Sequence, residues 1–93
     1  MRVFVKDPAA LVDYEVEWGD WLAANETLTS SSWSVEPVEA GGLAVAMQSG
    51  IASARRASVS GGVRGHLYRL TNHITTSAGR TDERSLVIRI AER

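Results

Sequence analysis

The chain has 93 residues, no cysteine and a net charge of −1, with 44% hydrophobic and 23% charged residues. This length suits one domain over residues 1–93, and the composition is too apolar for a disordered chain. The lack of cysteine excludes disulfides and thiolate metal or redox sites. Residues 1–7 contain no long apolar stretch, and no run approaches the ~20 residues of a membrane span. We therefore expect neither a signal peptide nor a membrane-spanning segment.

The charge is unevenly distributed along the chain. Residues 1–46 carry two basic and eight acidic residues, whereas residues 47–93 carry eight basic and three acidic residues. The two halves can pair within one molecule or present complementary faces to neighbouring copies. A sequence pI near 6.1 and scattered arginines argue against a nucleic-acid-binding face.

Alternation of apolar and acidic residues over residues 12–18 predicts a strand with one buried and one acidic face. A turn over residues 19–24 ends this strand. A second strand is expected over residues 27–35, with a bulge near the serine run because Leu28 has the opposite parity to Trp33. The first strand divides into a buried set, Val12, Tyr14, Val16 and Trp18, and an acidic set, Asp13, Glu15 and Glu17.

The second half of the chain predicts further short strands separated by glycine-containing turns. The expected strands cover residues 43–47, 54–59, 66–76 and 85–91, with turns at residues 49–50 and 61–62 and a loop at residues 77–80. Six or seven strands at regular spacing indicate an all-β, antiparallel sandwich or barrel. Tyr68 favours an immunoglobulin-like sandwich, because a tyrosine hydroxyl binds nearby backbone at the start of the penultimate strand there. An ordinary core tyrosine is the alternative.

No pattern of reactive side chains indicates catalysis, a cofactor or a metal. Asp13, Glu15 and Glu17 lie roughly 7 Å apart along one face, which is near the spacing of glycosidase carboxylates. The same pattern marks any half-exposed strand, so we expect salt bridges to arginines on a neighbouring strand or subunit instead. His66 and His73 are seven residues apart and fall on opposite faces of a continuous strand. We therefore predict no catalytic, cofactor-binding or metal-binding residues.

Two segments are candidates for contact with another protein. Trp21 is expected to be partly exposed after the acidic strand, and tryptophan is enriched at interface hot spots; core packing is the alternative. Residues 80–84 are expected to form a charged hairpin loop, and loops at the ends of sandwiches often carry binding. The candidate contact residues are Trp21, Arg80, Asp82, Glu83, Arg84, Glu15 and Glu17.

Several short segments, taken in chain order, carry a family resemblance. They are Lys6-Asp7-Pro8, Asp13-Tyr14, Trp18-Gly19-Asp20-Trp21-Leu22, Ser32-Trp33-Ser34-Val35, Thr71-Asn72-His73-Ile74-Thr75-Thr76 and residues 79–86. Together they resemble small phage virion proteins of the fiber–tail adaptor or tail-associated type. The resemblance implies an immunoglobulin-like domain, made in the bacterial host cytoplasm and built into the virion in several copies. The implied partners are other virion proteins of the tail, neck or fiber, with no catalysis, cofactor, nucleic acid or membrane.

The sequence leaves two functional hypotheses. The first is a structural adaptor of a phage or prophage virion that connects fibers or tail to the particle. The second is a stand-alone carbohydrate- or surface-binding sandwich, which is motivated by Trp21 and by a total of three tryptophans and two tyrosines.

Overall fold

The computed structural model describes residues 3–92 and shows a sandwich of seven strands in two sheets. One sheet has the order β1-β7-β6-β3 and the other β2-β5-β4. All neighbouring strands are antiparallel except β1 and β7, which are parallel. Within the described range, no helix is long and apolar enough to cross a membrane. The strands are β1 Val3–Lys6, β2 Val12–Glu17, β3 Leu28–Glu36, β4 Ala44–Ile51, β5 Ala54–Ser60, β6 Leu67–Thr76 and β7 Thr81–Ile90.

The predicted all-β sandwich is confirmed, and its strand order can be compared with a known pattern. Strands β2-β5-β4 against β3-β6-β7 follow the order of the B-E-D and C-F-G strands of immunoglobulin-type sandwiches. Strand β1 instead pairs with the last strand of the opposite sheet. The finer immunoglobulin-like classification stays a prediction.

Several local predictions are confirmed by the positions of the side chains. Tyr14, Val16 and Trp18 are buried, and the acidic residues between them are exposed. The register of β3 against β6 shifts between Leu28 and Ser30, which is the expected bulge. On β6, alternation places Tyr68, Leu70, Asn72 and Ile74 on one face, and all four are buried.

The predicted turn at residues 49–50 is wrong. Strand β4 continues to Ile51, and the hairpin turns at residues 52–53, where Ala52 adopts a φ of 53°. Gly50 permits a close approach instead of a turn, because a Cβ there would lie 2.6 Å from the Arg55 guanidinium. A glycine in a strand interior can mark such an approach as well as a break.

The prediction of a charged loop over residues 80–84 is also wrong. The hairpin occupies residues 77–80, and β7 begins at Thr81. Asp82, Glu83 and Arg84 pair in register with residues of β6. These charged side chains are exposed, so they are compatible with a strand whose polar groups face water.

The core is divided into a large apolar cluster and a smaller one beside it. The smaller cluster contains Val16, Trp18 and Ile74. Here the Nε1 of Trp18 donates a 2.9 Å hydrogen bond to the Oδ1 of Asn72, and both side chains are fully buried. The Nδ2 of Asn72 in turn donates to the Ser31 hydroxyl and to the Ser32 carbonyl. This polar bridge links the end of β2 to strands β6 and β3. The large cluster contains Tyr14, Leu43, Val59, Tyr68, Leu70, Ile88 and Ile90.

The opposite end of the sandwich is closed by one local and one long-range contact. The Tyr68 hydroxyl accepts a 3.0 Å hydrogen bond from the Val63 amide, as the corner interpretation predicted. Lys6 is almost completely buried, and its ammonium donates to the carbonyls of Asp7 and Gly61. Burial lowers the pKa of Lys6, while the nearby Asp7 carboxylate acts in the other direction. The sequence did not predict this buried lysine.

The Asn72→Ala variant tests the polar bridge in the smaller cluster. The change leaves the buried Trp18 Nε1 without its acceptor, so we expect the free energy of unfolding to fall by about 1–3 kcal/mol. Denaturant titration measures this value. The matched control is Gln48→Ala, which removes an exposed amide and should change stability by less than about 0.5 kcal/mol. Equal losses in the two variants would contradict this account.

Candidate interaction site at one end of the sandwich

Three loops meet at the end of the sandwich where β2 stops. They are residues 18–27, 52–53 and 77–80, and we call this region the tryptophan end. The Trp18 amide donates to the Ser53 carbonyl at 2.9 Å, and the Ser77 amide donates to the Thr27 carbonyl at 2.8 Å. These backbone hydrogen bonds join the loops to one another.

A buried carboxylate organises the tryptophan end. The side chain of Glu26 is only 3% exposed, and the Arg80 guanidinium binds both its oxygens, with Nε 2.9 Å from Oε2 and Nη2 2.5 Å from Oε1. The Ala23 amide and the Thr76 hydroxyl complete the set of donors at 2.8 and 2.5 Å. Led by Arg80, these donors lower the pKa of Glu26 to about 2 from its ordinary 4.5. Glu26 is thus a fully bonded carboxylate that fixes Arg80.

Trp21 is held between two neighbours. The guanidinium carbon of Arg80 lies 4.0 Å from the centre of the Trp21 ring, and the Arg80 Nη2 also donates to the Trp21 carbonyl. The ring of Trp18 meets Trp21 edge-on, with centroids 5.4 Å apart. Trp21 is half-buried, so it packs at the tryptophan end and still keeps part of its surface open.

Arg84 and Glu17 lie beside the same loops. The guanidinium carbon of Arg84 is 4.3 Å from the centre of the Trp18 ring, and its Nη1 donates to the Glu17 carbonyl. The Glu17 carboxylate accepts hydrogen bonds from the Ser53 hydroxyl and, at 2.7 Å, from the Gly19 amide. The Ser53 contact is the main reason that the pKa of Glu17 is lowered. Four of the predicted contact residues are therefore brought together at the tryptophan end: Trp21, Arg80, Arg84 and Glu17.

The other three predicted contact residues lie on the sheets. Glu15 forms a 3.2 Å salt bridge with Arg56 on the adjoining strand, which is the kind of pairing expected for the acidic strand. Glu83 lies 2.8 Å from the Nδ1 of His73, and Asp82 accepts a hydrogen bond from the amide of the following residue. These three residues therefore remain predicted contacts on the sheets, separate from the four residues at the tryptophan end.

One cross-strand line of hydrogen bonds resembles the order of a catalytic triad. The Ser34 hydroxyl is 3.2 Å from the Nε2 of His73, whose Nδ1 faces Glu83. All three side chains lie on the water-exposed surface of a sheet. Electrostatic stabilisation of a transition state needs a site shielded from water. We therefore interpret this line as a polar contact across β3, β6 and β7. Among residues 3–92, no three metal-ligating side chains form a group that could hold an ion.

Comparison with known protein families adds the decisive observation. The model of the family described as podophage GP4 fiber-tail adaptor protein gp77 matches residues 6–89. The chain belongs to this family. The match includes the residues of the tryptophan end, and it confirms the resemblance seen in the sequence. The family is one of phage structural components that contact other virion proteins. A comparison with curated proteins finds no match.

Sequence reasoning missed Glu26, the carboxylate on which the tryptophan end depends. One local signal exists, because a glutamate can reach back to the amide three residues earlier, as in a capping box. Ala23 lacks the hydroxyl that would complete that motif, so the signal is weak. The partner Arg80 is 54 residues away in the chain.

The low pKa of Glu26 predicts a pH dependence of stability. Because folding holds this carboxylate ionised, its contribution is complete above about pH 4.5 and is lost as the pH falls toward 2. Denaturant titrations between about pH 6 and pH 2.5 should show that the stability advantage of the native protein over Glu26→Gln shrinks with falling pH. The control, Glu36→Gln, changes an exposed carboxylate. Parallel pH profiles for the native protein and Glu26→Gln would contradict the assignment.

Proposed function

We propose that the protein is a non-enzymatic adaptor that connects fibers or the tail to a phage particle through protein–protein contacts. Membership in the fiber–tail adaptor family, over residues 6–89, is the observation that carries this proposal. The adaptor is present in several copies per virion and is made in the cytoplasm of the bacterial host. It works without a cofactor, a nucleic acid or a membrane.

The tryptophan end is the proposed contact site. Tryptophan and arginine are the residue types most often found at interface hot spots, and Trp21 and Arg80 are stacked there. Glu26 and Trp18 already hold these side chains in place, so little side-chain entropy is lost when a partner binds. Asp82, Glu83 and Arg84 add exposed charge along the adjoining part of β7. Such rim charges favour the correct partner orientation.

The carbohydrate-binding hypothesis receives less support from this geometry. A stacking platform for a sugar needs an open aromatic face, and the Arg80 guanidinium covers one face of Trp21. Trp18, the neighbouring aromatic residue, is completely buried. The arrangement therefore favours a protein partner over a glycan.

Mass spectrometry of purified virions tests the adaptor function. We expect the native protein to be present at a stoichiometric level with the other structural proteins of the particle. Absence of the native protein from purified virions would overturn the function itself.

The Trp21→Ala variant tests the contact site by complementation of a phage that lacks the gene. Loss of a hot-spot tryptophan should weaken docking by about 30-fold, which corresponds to roughly 2 kcal/mol, and should lower the amount of protein in virions. The control is Val38→Ala, which removes an exposed side chain from the opposite end. The double variant Asp82→Lys, Glu83→Lys leaves the Glu26–Arg80 contact in place and should also reduce incorporation. Normal incorporation of folded Trp21→Ala and of the double variant would exclude this site.

A further inference from the structure

The outer surface of the four-stranded sheet carries an apolar patch with two arginines. In the register of this sheet, Val5 pairs with Arg89 and Arg89 with Leu67, so these three side chains share one side. The next row places Val3, Val87 and Arg69 on that side. Val3 and Leu67 are each more than half exposed, and Val5 is 41% exposed. We call this surface the basic face; it comprises Val3, Val5, Leu67, Arg69, Val87 and Arg89.

The two arginines of the basic face differ from the other arginines of the described chain. The guanidinium groups of Arg69 and Arg89 are exposed and make no hydrogen bond or ion pair with residues 3–92. Glu36 lies opposite Arg69 in register at the rim of the face, without forming a salt bridge. The remaining arginines of this range each bind a carboxylate or a backbone carbonyl: Arg55, Arg56, Arg64, Arg80 and Arg84.

The outer surface of the three-stranded sheet has the opposite character. Its register places Asp13 in one row with Met47, and Glu17 in one row with Ile51. Leu11, Met47 and Ile51 are each more than half exposed. The three carboxylates of β2 face a single guanidinium, that of Arg56. We call this surface the acidic face; it comprises Leu11, Asp13, Glu15, Glu17, Met47 and Ile51.

We propose that the basic face of one copy of this protein docks on the acidic face of the next copy. The two faces lie on opposite sides of the sandwich, so they cannot meet within one molecule. Each combines exposed apolar side chains with charge of one prevailing sign, and the signs are complementary. A symmetric pairing of two basic faces would instead bring Arg69 and Arg89 of both copies together, and like charges there oppose association.

The size of the two faces sets the strength of such a contact. Each face comprises six residues and covers only part of an outer surface of the molecule, whose backbone extents are 43, 22 and 21 Å. A standard stable interface buries about 800 Å² on each partner, so we expect this smaller contact to be weak. Since the docked surfaces differ, the contact is heterologous and can repeat into a ring or a stack. This inference rests on the proposed function, in which several adaptor copies share one particle.

Sedimentation equilibrium of the full chain tests the docking. We expect the average mass to rise with concentration, with a dissociation constant in the micromolar range, and to fall as salt screens the charges. The Arg69→Glu, Arg89→Glu variant should be monomeric, and so should Asp13→Arg, Glu15→Arg. A mixture of the two folded variants should associate again, because each supplies the face that the other has reversed. Arg64→Glu changes a charge outside both faces and should associate as the native protein does.

Three results would overturn the docking model. A native chain that stays monomeric up to about 1 mM would do so, as would association that neither double variant reduces. Failure of the mixed variants to associate would exclude the proposed pairing of faces. Mass spectrometry of virions separates these outcomes from the adaptor function, because a monomeric chain that is still incorporated refutes the docking alone.

Discussion

The hydrogen bond between Trp18 and Asn72 is the interaction on which the rest of the structure depends. It crosses the interior of the sandwich, from the end of β2 in one sheet to the middle of β6 in the other. The same tryptophan binds the β4–β5 turn through its amide and the following loop through its carbonyl, which accepts from the amides of residues 21 and 22. A small sandwich has a thin core, so a large side chain that contacts both sheets and two loops contributes a large share of its stability.

The candidate interaction site is a consequence of this buried tryptophan. Arg84 covers the Trp18 ring, and Trp21 packs against its edge, so the loop after β2 cannot move independently of the core. In the same loop, the buried Glu26 carboxylate binds Arg80 of the β6–β7 hairpin. Burial of a carboxylate is unfavourable unless its oxygens are hydrogen-bonded, and here three residues donate four hydrogen bonds to it. The result is an end of the sandwich whose aromatic and guanidinium groups are in place before any partner arrives.

The sequence predicted the features that depend on local alternation, and missed those that depend on distant partners. The buried and exposed faces of strand β2 follow from the period of two, and the hydroxyl contact of Tyr68 follows from its position near a strand start. The turn predicted at Gly50 was wrong because the sequence does not distinguish a glycine in a turn from a strand glycine that packs against an arginine side chain. The buried ionic groups Lys6 and Glu26 carry no local signal, because their partners lie 55 and 54 residues away.

The unequal charge of the two halves of the chain has two different consequences in the fold. Part of it is neutralised within the molecule, since Glu15 binds Arg56 and Glu26 binds Arg80, each pair joining the acidic half to the basic half. The remaining charge is separated by the sandwich itself. The carboxylates of β2 lie on one outer surface, and Arg69 and Arg89 lie on the other. Exposed ion pairs contribute little to stability, so the free energy of unfolding would be nearly the same if these two arginines were paired. Their effect is on recognition instead, because opposite charges on opposite faces orient identical subunits in one direction.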